Sequence, residues 1–394
     1  MKSSATASRY LTKKYLDDST YTKTIYKCNN CSWFGIEDTK VKMGDKCYFC
    51  GKGIISKSEK LMIKPWGFAP KNGEVLSSSN TKEEVTFAQE PIYSTLPSDS
   101  KDINPVNNYR HLKIANRKNQ RIIMMNTGNN GKGFMLCKLC GASMPGNNND
   151  VLQKVKGPDK QRCSHSETLN IDLGYDFITD MLVLEFEFDG EQINTSYNNI
   201  WHHRAGVSLA EAIRLAAGKI LDIDFSELVT GCRYRNDKQG CFLDVYLYDS
   251  LLSGAGYSNS LSKIIGQVLS EAEKILKQCN CDDACYNCLK HYRNQHIHGD
   301  LDRKAALELL AWGRNGIVTD EIPQREQLKL LEPLHDILLE RGLELNNLMV
   351  NDKEIVIYPS MRMPKKDGKI YLSEYLVKYA LPIAVQEISG NFYR

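Results

Sequence analysis

The sequence contains no run of 18 apolar residues, which leaves no candidate for a membrane-spanning helix. Its first residues, MKSSATASRYLTKKYLDDSTY, lack the apolar h-region of an export signal, so a cytoplasmic chain with no membrane contact is expected. Net charge is also small. The formal +3 counts every thiol as neutral. If eleven cysteines are thiolates on three divalent ions, the balance falls by eleven, regains six and ends at −2. Overall charge therefore gives no argument for nucleic-acid binding, and a DNA contact needs a local basic patch. Two catalytic signatures are missing as well. In TGNNGKGF, Gly128 and Gly131 stand too close together for a P-loop, and Gly133 follows Lys132 where Ser or Thr would hold Mg²⁺. His111 and Lys113 begin an H-x-K-x4-D pattern, but Lys118 occupies the acidic position.

Cysteine is abundant by contrast. The 394 residues carry 13 cysteines, 42% hydrophobic residues and 25% charged ones, a globular composition long enough for two or three domains. Without an export signal, this much cysteine fits metal binding better than a disulfide framework. Cys28-x2-Cys31 and Cys47-x2-Cys50 are two knuckles with the spacing of a zinc ribbon. Cys137-x2-Cys140 with Cys163-x-His165 makes a set of three cysteines and one histidine across a 22-residue gap that holds a Pro145 to Asn149 loop. Ligand pairs need only meet in space. Cys279, Cys281, Cys285 and Cys288 form a third set, C-x-C-x3-C-x2-C, at the junction of two amphipathic patterns. Three zinc ions are expected. An iron–sulfur cluster at Cys279 to Cys288 is the chemical rival, because it also needs four thiolates and spacing does not separate the two.

The organisation read from the sequence is mixed α/β: zinc-ribbon modules, a small helix-packed α/β core and a C-terminal α+β appendage. The expected boundaries are an N-terminal arm and four-cysteine zinc ribbon over 1–80, a linker and the three-cysteine, one-histidine zinc module over 81–170, the α/β core with its four-cysteine cluster over 171–315, and the appendage over 316–394. Leu182, Leu184, Phe186 and Phe188 alternate as one strand, and Leu243, Val245 and Leu247 as another. Ser208 and Glu211 read as the capping box of an intervening helix. A second helix is expected after Asn259, with its stripe from Leu261 to Leu276 unbroken up to the third cluster.

Candidate phosphate contacts are Arg110, Lys113, Arg117, Lys118 and Arg121 in an Asn-rich basic stretch, and Lys290, Arg293 and Arg303 around the third cluster. Arg293 and Arg303 could equally pair with Asp300 and Asp302. Pro65-Trp66-Gly67-Phe68 reads either as a base-stacking platform or as a loop anchor. Gly254 and Gly256 before a helix mark either a phosphate site or a tight turn. Glu185, Glu187, Asp244 and Asp249 could form a Mg²⁺ nuclease cluster, although carboxylates alternating on a solvent face of a strand explain them more simply.

The stretch around the third cluster resembles a known family. Cys281, Cys285 and Cys288, with Tyr292, Asn294, Gln295, His298 and Leu301-Asp302-Arg303, look like the zinc-binding domain at the C-terminal end of MrfA-type DEAD/DEAH-box helicases. The same domain forms the stand-alone DrmB-like subunit of DISARM phage-defence systems. The resemblance extends upstream through GFMLCKLCGA, CSH, LGYDFITDMLVLEF and LYDSLLSGAGY, from about residue 130 to 315. It implies zinc ligation by Cys279, Cys281, Cys285 and Cys288. It further implies a zinc-rich accessory subunit that works with a separate helicase-type ATPase on DNA. This chain is shorter than such subunits often are. A closed four-ligand zinc site has no open position for water, so a non-catalytic protein is expected. The alternatives are the nuclease above and a scaffold that binds only proteins.

Overall fold

The computed structural model describes residues 21–31, 33–37, 42–47, 49–64, 92–93, 103–128, 131–146, 162–237, 240–250 and 256–392. The Pro65 to Phe68 run, the SSSNTKEE linker, Gly254, Asn147 to Asn149 and most of the N-terminal arm lie outside them. In chain order the strands are β1 (Thr22–Cys28), β2 (Phe34–Ile36), β3 (Ile55–Ile63), β4 (Ile92–Tyr93), β5 (Ile103–Pro105), β6 (Leu112–Asn126), β7 (Phe134–Cys137), β8 (Ser143–Pro145) and β9 (Thr168–Phe188). Helix α1 (Ile200–Leu221) precedes the hairpin β10 (Leu228–Asp237) and β11 (Gly240–Asp249). Next come α2 (Tyr257–Lys263), α3 (Ile265–Lys277), α4 (Arg303–Asn315), α5 (Gln324–Leu331) and α6 (His335–Leu339). The chain finishes with β12 (Leu345–Asn346), β13 (Met349–Val350), β14 (Lys353–Tyr358), β15 (Ile370–Ser373), α7 (Glu374–Tyr379) and α8 (Leu381–Ser389). The architecture is mixed α/β. Two compact units result, residues 1–100 with 118–179 and residues 101–117 with 180–394, and the long strands β6 and β9 contribute to both.

The first unit is a set of short strands. β1 pairs antiparallel with β2 and β3. β3 runs parallel to the start of β9, with Leu61 opposite Ile171, and β7 lies antiparallel to β8 and β9. Ile25, Phe34, Ile36, Met62, Ile123 and Met125 form one small core. Gly133 holds the loop before β7. Its φ is +73°, and a Cβ there would lie 2.6 Å from both Asn170 Oδ1 and the Ile171 carbonyl, so only glycine fits.

The second unit carries the main core. Leu182, Leu184, Phe186 and Phe188 of β9 and Leu243, Val245 and Leu247 of β11 are buried on one face against α1, α3 and α4, as the period-two pattern requires. The strands are antiparallel in register, with Leu184 opposite Val245. β10, a strand absent from the sequence reading, completes the hairpin. Helix α1 begins eight residues before the expected capping box. Asn199 is its N-cap, accepting from the Trp201 amide. Trp201 and Ala205 extend the apolar stripe backwards, which keeps Ser208 and Glu211 inside the helix and frees their side chains for tertiary bonds. The expected long helix is broken at Ile264 (φ −118°, ψ 18°), although Leu261, Ile265, Val268, Leu269, Ala272 and Leu276 remain buried along it.

The residues after 316 form a four-stranded sheet, β12-β13-β14-β15, with β14 and β15 parallel. Leu331, Leu334, Leu338, Ile355, Ile357, Leu372 and Val385 give it a core of its own. It docks on the rest of the unit through polar contacts. Tyr375 donates to Asp302 at 2.6 Å. Asn199 Nδ2 donates to the Ser360 carbonyl, and Thr319 donates to Glu308.

Of the strand carboxylates only Glu187 is partly exposed; Glu185, Asp244 and Asp249 are buried. Glu185 and Asp244 are 2% and 0% exposed. Glu185 pairs with Arg117 and Arg235, and Asp244 with Arg233 and Arg235. Buried carboxylates need such cations, because desolvation of an isolated charge is prohibitive. Glu187 pairs with Lys113. Asp249 accepts from the amides of Gly256, Tyr257 and Ser258. That carboxylate fills the start of α2, which answers the choice between a phosphate site and a tight turn in favour of the turn.

Candidate metal centres

All twelve predicted ligands converge into three groups, each with its ligand atoms within 4.8 Å of one another. In the first, β1 delivers Cys28 and a turn delivers Cys31, while the second knuckle supplies Cys47 and Cys50. Cys28 and Cys50 sulfurs are 3.7 Å apart, as are those of Cys31 and Cys47. A tetrahedron with Zn–S bonds of about 2.3 Å has edges of about 3.8 Å, so the spacing is that of ligands around one ion. Backbone amides of Asn30, Phe49 and Gly53 donate to Cys28, Cys47 and Cys50 at 3.2–3.4 Å. These bonds orient the sulfurs and favour their anionic form. Gly53 is obligatory here, since a Cβ would sit 2.3 Å from Cys28 Sγ.

The second group joins the β7–β8 turn to the residues before β9. Cys137, Cys140 and Cys163 are buried together with Ala142, and His165 Nδ1 lies 3.8 Å from Cys163 Sγ. Gly141, in the left-handed region, donates to the Cys137 carbonyl and closes the knuckle.

The third group follows α3. Cys279 and Cys285 sulfurs are 3.4 Å apart and those of Cys281 and Cys288 are 3.7 Å apart. A four-iron cluster gives each thiolate its own iron and spreads the sulfurs wider than a single-ion tetrahedron. The close packing therefore favours one zinc ion and disfavours the iron–sulfur rival. The same separations exceed a disulfide bond of about 2.05 Å, and none of the thirteen cysteines is in a disulfide.

The protein groups alone prepare the sulfurs unequally. Cys47 is held down to about 5, chiefly by its hydrogen bond with Cys31, whose own thiol is driven far up by the same contact. Cys279 is held down to about 7, first by the Cys281 amide, while burial pushes Cys281 up to about 12. Four close thiols cannot all ionise unless a cation joins them. The chain carries three zinc sites.

The third cluster is tied into the helices by residues the sequence reading used otherwise. His291 donates from Nε2 to Glu211 of α1 at 2.7 Å and accepts the Arg293 amide at Nδ1, which fixes its tautomer. Arg214 also bonds Glu211. Arg303 donates to the carbonyls of Cys281 and Leu276, joining the metal loop to the end of α3. Asp302 caps α4 through the Lys304 and Ala305 amides, and its own amide donates to Ser208. Arg204 donates to the Gly299 carbonyl and stacks 3.7 Å over the Tyr379 ring. No local signal along the chain marks Arg204, Tyr375 or Tyr379, whose roles depend on contacts distant in sequence.

The proposed phosphate contacts divide. Arg110, Lys118 and Arg293 are exposed, and Lys290 is half-buried. Arg293 lies 4.0 Å from Asp224. Lys113 pairs with Glu187 at 2.8 Å. Arg121 bonds Asp176, and the buried Arg117 bonds Glu185. Arg303 spends its donors on backbone carbonyls, and neither Asp300, which faces His203, nor Asp302 is its partner. The basic stretch is therefore not one free cationic face: β6 alternates its side chains, and the carboxylates of β9 take up several of them.

Among the described residues no helix is long and apolar enough to cross a membrane. Residues 209–289, from the middle of α1 to the third cluster, match the MrfA Zn-binding domain family. The chain is 28% identical over 408 aligned positions to Druantia protein DruE of Escherichia coli (strain UMEA 4076-1), covering 93% of this chain and 22% of that protein. It thus spans about a fifth of the length of that curated relative. The crystal structure of the DUF1998 helicase MrfA bound to DNA superposes with a TM-score of 0.33 at 14% identity, covering 53% of this chain and 23% of the other. The chain thus contains a segment similar to the MrfA Zn-binding domain and is distantly similar to a Druantia protein.

Proposed function

We propose that this chain is a non-catalytic zinc-binding module that works beside a helicase-type ATPase on DNA in anti-phage defence, in the manner of the DrmB-like subunit of DISARM. One observation carries this reading. The segment that matches the MrfA zinc-binding family contains α3, the third cluster and Glu211 of α1, and His291 and Arg303, just beyond it, lock these together. The similarity to the Druantia protein over 93% of the chain points to the same biological setting. A non-catalytic role agrees with closed four-ligand sites, which leave zinc no position for water. It agrees too with strand carboxylates whose charge is already taken by arginines, unlike the free paired carboxylates a two-metal nuclease needs.

The test is fluorescence anisotropy of the zinc-loaded chain against single-stranded, duplex and forked DNA across a salt series. Affinity that falls steeply with salt is expected, because phosphate contacts release counterions. No binding even at low salt would remove DNA from the reading and leave a protein-only scaffold. Mg²⁺-dependent DNA cleavage that disappears in Asp244→Asn would overturn the non-catalytic part.

A further inference from the structure

Several lysines of this protein sit beside carboxylates. Lys113 faces Glu187, Lys277 faces Glu273, Lys365 faces Glu321, and Lys369 faces Glu354, all within 2.8 Å. The first zinc ribbon concentrates lysine beyond its carboxylates. Residues 21 to 64 hold nine lysines and four carboxylates. A four-thiolate zinc centre adds two negative charges, so the module still carries an excess of three positive ones. Lys60 and Lys64 lie near Asp172 and Asp176. Lys42, Lys46 and Lys52 are exposed and have no carboxylate partner among the described residues. The nearby Asp45 is used locally, accepting the Lys42 amide to close the turn.

The ribbon geometry gathers these cations at one tip. Lys46 bridges to Ile54 in antiparallel fashion. The Cys47 amide donates to the Gly53 carbonyl, and the Gly44 amide to that of Ile55. Residues 42–47 are thereby folded back on 53–55, and Lys52 lies in the connecting knuckle. Paired residues of an antiparallel bridge project to the same side, so Lys46 and Ile54 share a face. Two large apolar side chains are exposed at this tip, Met43 at 70% and Ile54 at 51%. The four convergent cysteines, Trp33 stacked on Phe49 at 5.3 Å and the obligatory Gly53 hold the backbone in place. The tip thus presents exposed ammonium groups around an exposed apolar centre.

We propose that the tip of the first zinc ribbon, Lys42, Met43, Lys46, Lys52 and Ile54, is a docking surface for the sugar-phosphate backbone of DNA. The lysines meet phosphates as point charges, and Met43 and Ile54 lie against the sugars and base edges between them. Cations already neutralised by a carboxylate release no counterions on binding, so unmatched lysines are worth more to a polyanion than the paired arginines of β6. This assignment rests on the DNA reading above and relocates its contact surface.

The test compares the full zinc-loaded chain with two triple variants by anisotropy on one duplex, across a salt series. Lys42→Gln, Lys46→Gln and Lys52→Gln together should weaken binding about tenfold at 0.1 M salt and lower the salt slope by roughly 0.9 for each phosphate no longer neutralised. Lys42→Arg, Lys46→Arg and Lys52→Arg together should keep both, and both variants should retain three zinc ions per chain. Gln and Arg variants that bind alike would overturn the assignment and leave the DNA reading standing. No binding by the unaltered chain would overturn both. Competition by poly-glutamate as effective as by DNA at equal charge would overturn the assignment in favour of an acidic protein.

Discussion

The first and third zinc centres hold the same four-thiolate chemistry in opposite ways. The ribbon of Cys28 to Cys50 is held by its own backbone: three amides bond its sulfurs, and its hairpins close on each other. The cluster of Cys279 to Cys288 belongs to the largest core. Cys288 and Leu289 are 7% and 0% exposed within it, and Arg303, His291 and Asp302 fasten the loop to three helices. A metal that organises only its own turns can be lost locally, whereas one at a junction of helices carries their packing with it.

The strongest challenge to that contrast is ligand removal. Cys288→Ser should abolish cooperative unfolding of the second unit and much of the helical circular dichroism, since a structural zinc is worth on the order of 10 kcal/mol. Cys50→Ser should leave the helical signal nearly intact. Equal helix loss in the two variants would end the distinction.

The contrast extends from metals to charges, which are matched in the second unit and unmatched on the ribbon tip. Asp244→Ala leaves Arg233 and Arg235 buried beside a single remaining carboxylate, and should cost about 3–5 kcal/mol in urea unfolding. A loss below about 1 kcal/mol would show that water already screens the network.

Asp302→Ala examines how firmly the third centre is coupled to the appendage. It removes a helix cap, about 0.5–2 kcal/mol, and leaves the Tyr375 hydroxyl unpaired, about 1–3 kcal/mol. The same variant should speed proteolysis between residues 316 and 323. An unchanged cleavage pattern would show that the appendage is held by its other contacts.

The smallest expected effect concerns pH. Burial pushes Glu308 up to about 7, against hydrogen bonds from Thr319 and Trp201. Its carboxyl is therefore neutral in the folded state under mild acid. The stability linked to this group is complete below about 4.5 and is lost as pH rises through about 7, by on the order of 3 kcal/mol. Glu308→Gln should flatten the melting temperature against pH over that window. His202 behaves oppositely. Burial lowers it to about 3, so its contribution is present above about 6.5 and declines as pH falls toward 3. A Glu308→Gln profile parallel to that of the unaltered chain would assign the pH dependence to other groups.

The features legible along the chain were local. C-x2-C knuckles announce metal ligands because one turn sets their spacing; eight of the twelve ligands lie in such pairs, and Cys163, His165, Cys279 and Cys281 were legible as short C-x-H and C-x-C pairs that complete the sets. The alternating strands β9 and β11 and the apolar stripes of α1 and α3 were equally plain, since burial on one face imposes its period on the residues. The start of α1 was missed because Ser208 and Glu211 imitate a cap while serving Asp302 and His291 from within the helix. Which charges are free was settled only by folding. Arg117 and Lys42 look alike in sequence, yet strand pairing lays Glu185 beside the one and leaves the other at a hairpin tip. Electrostatic partners are chosen through space, by register and packing, and residues far apart in the chain carry no local mark of the choice.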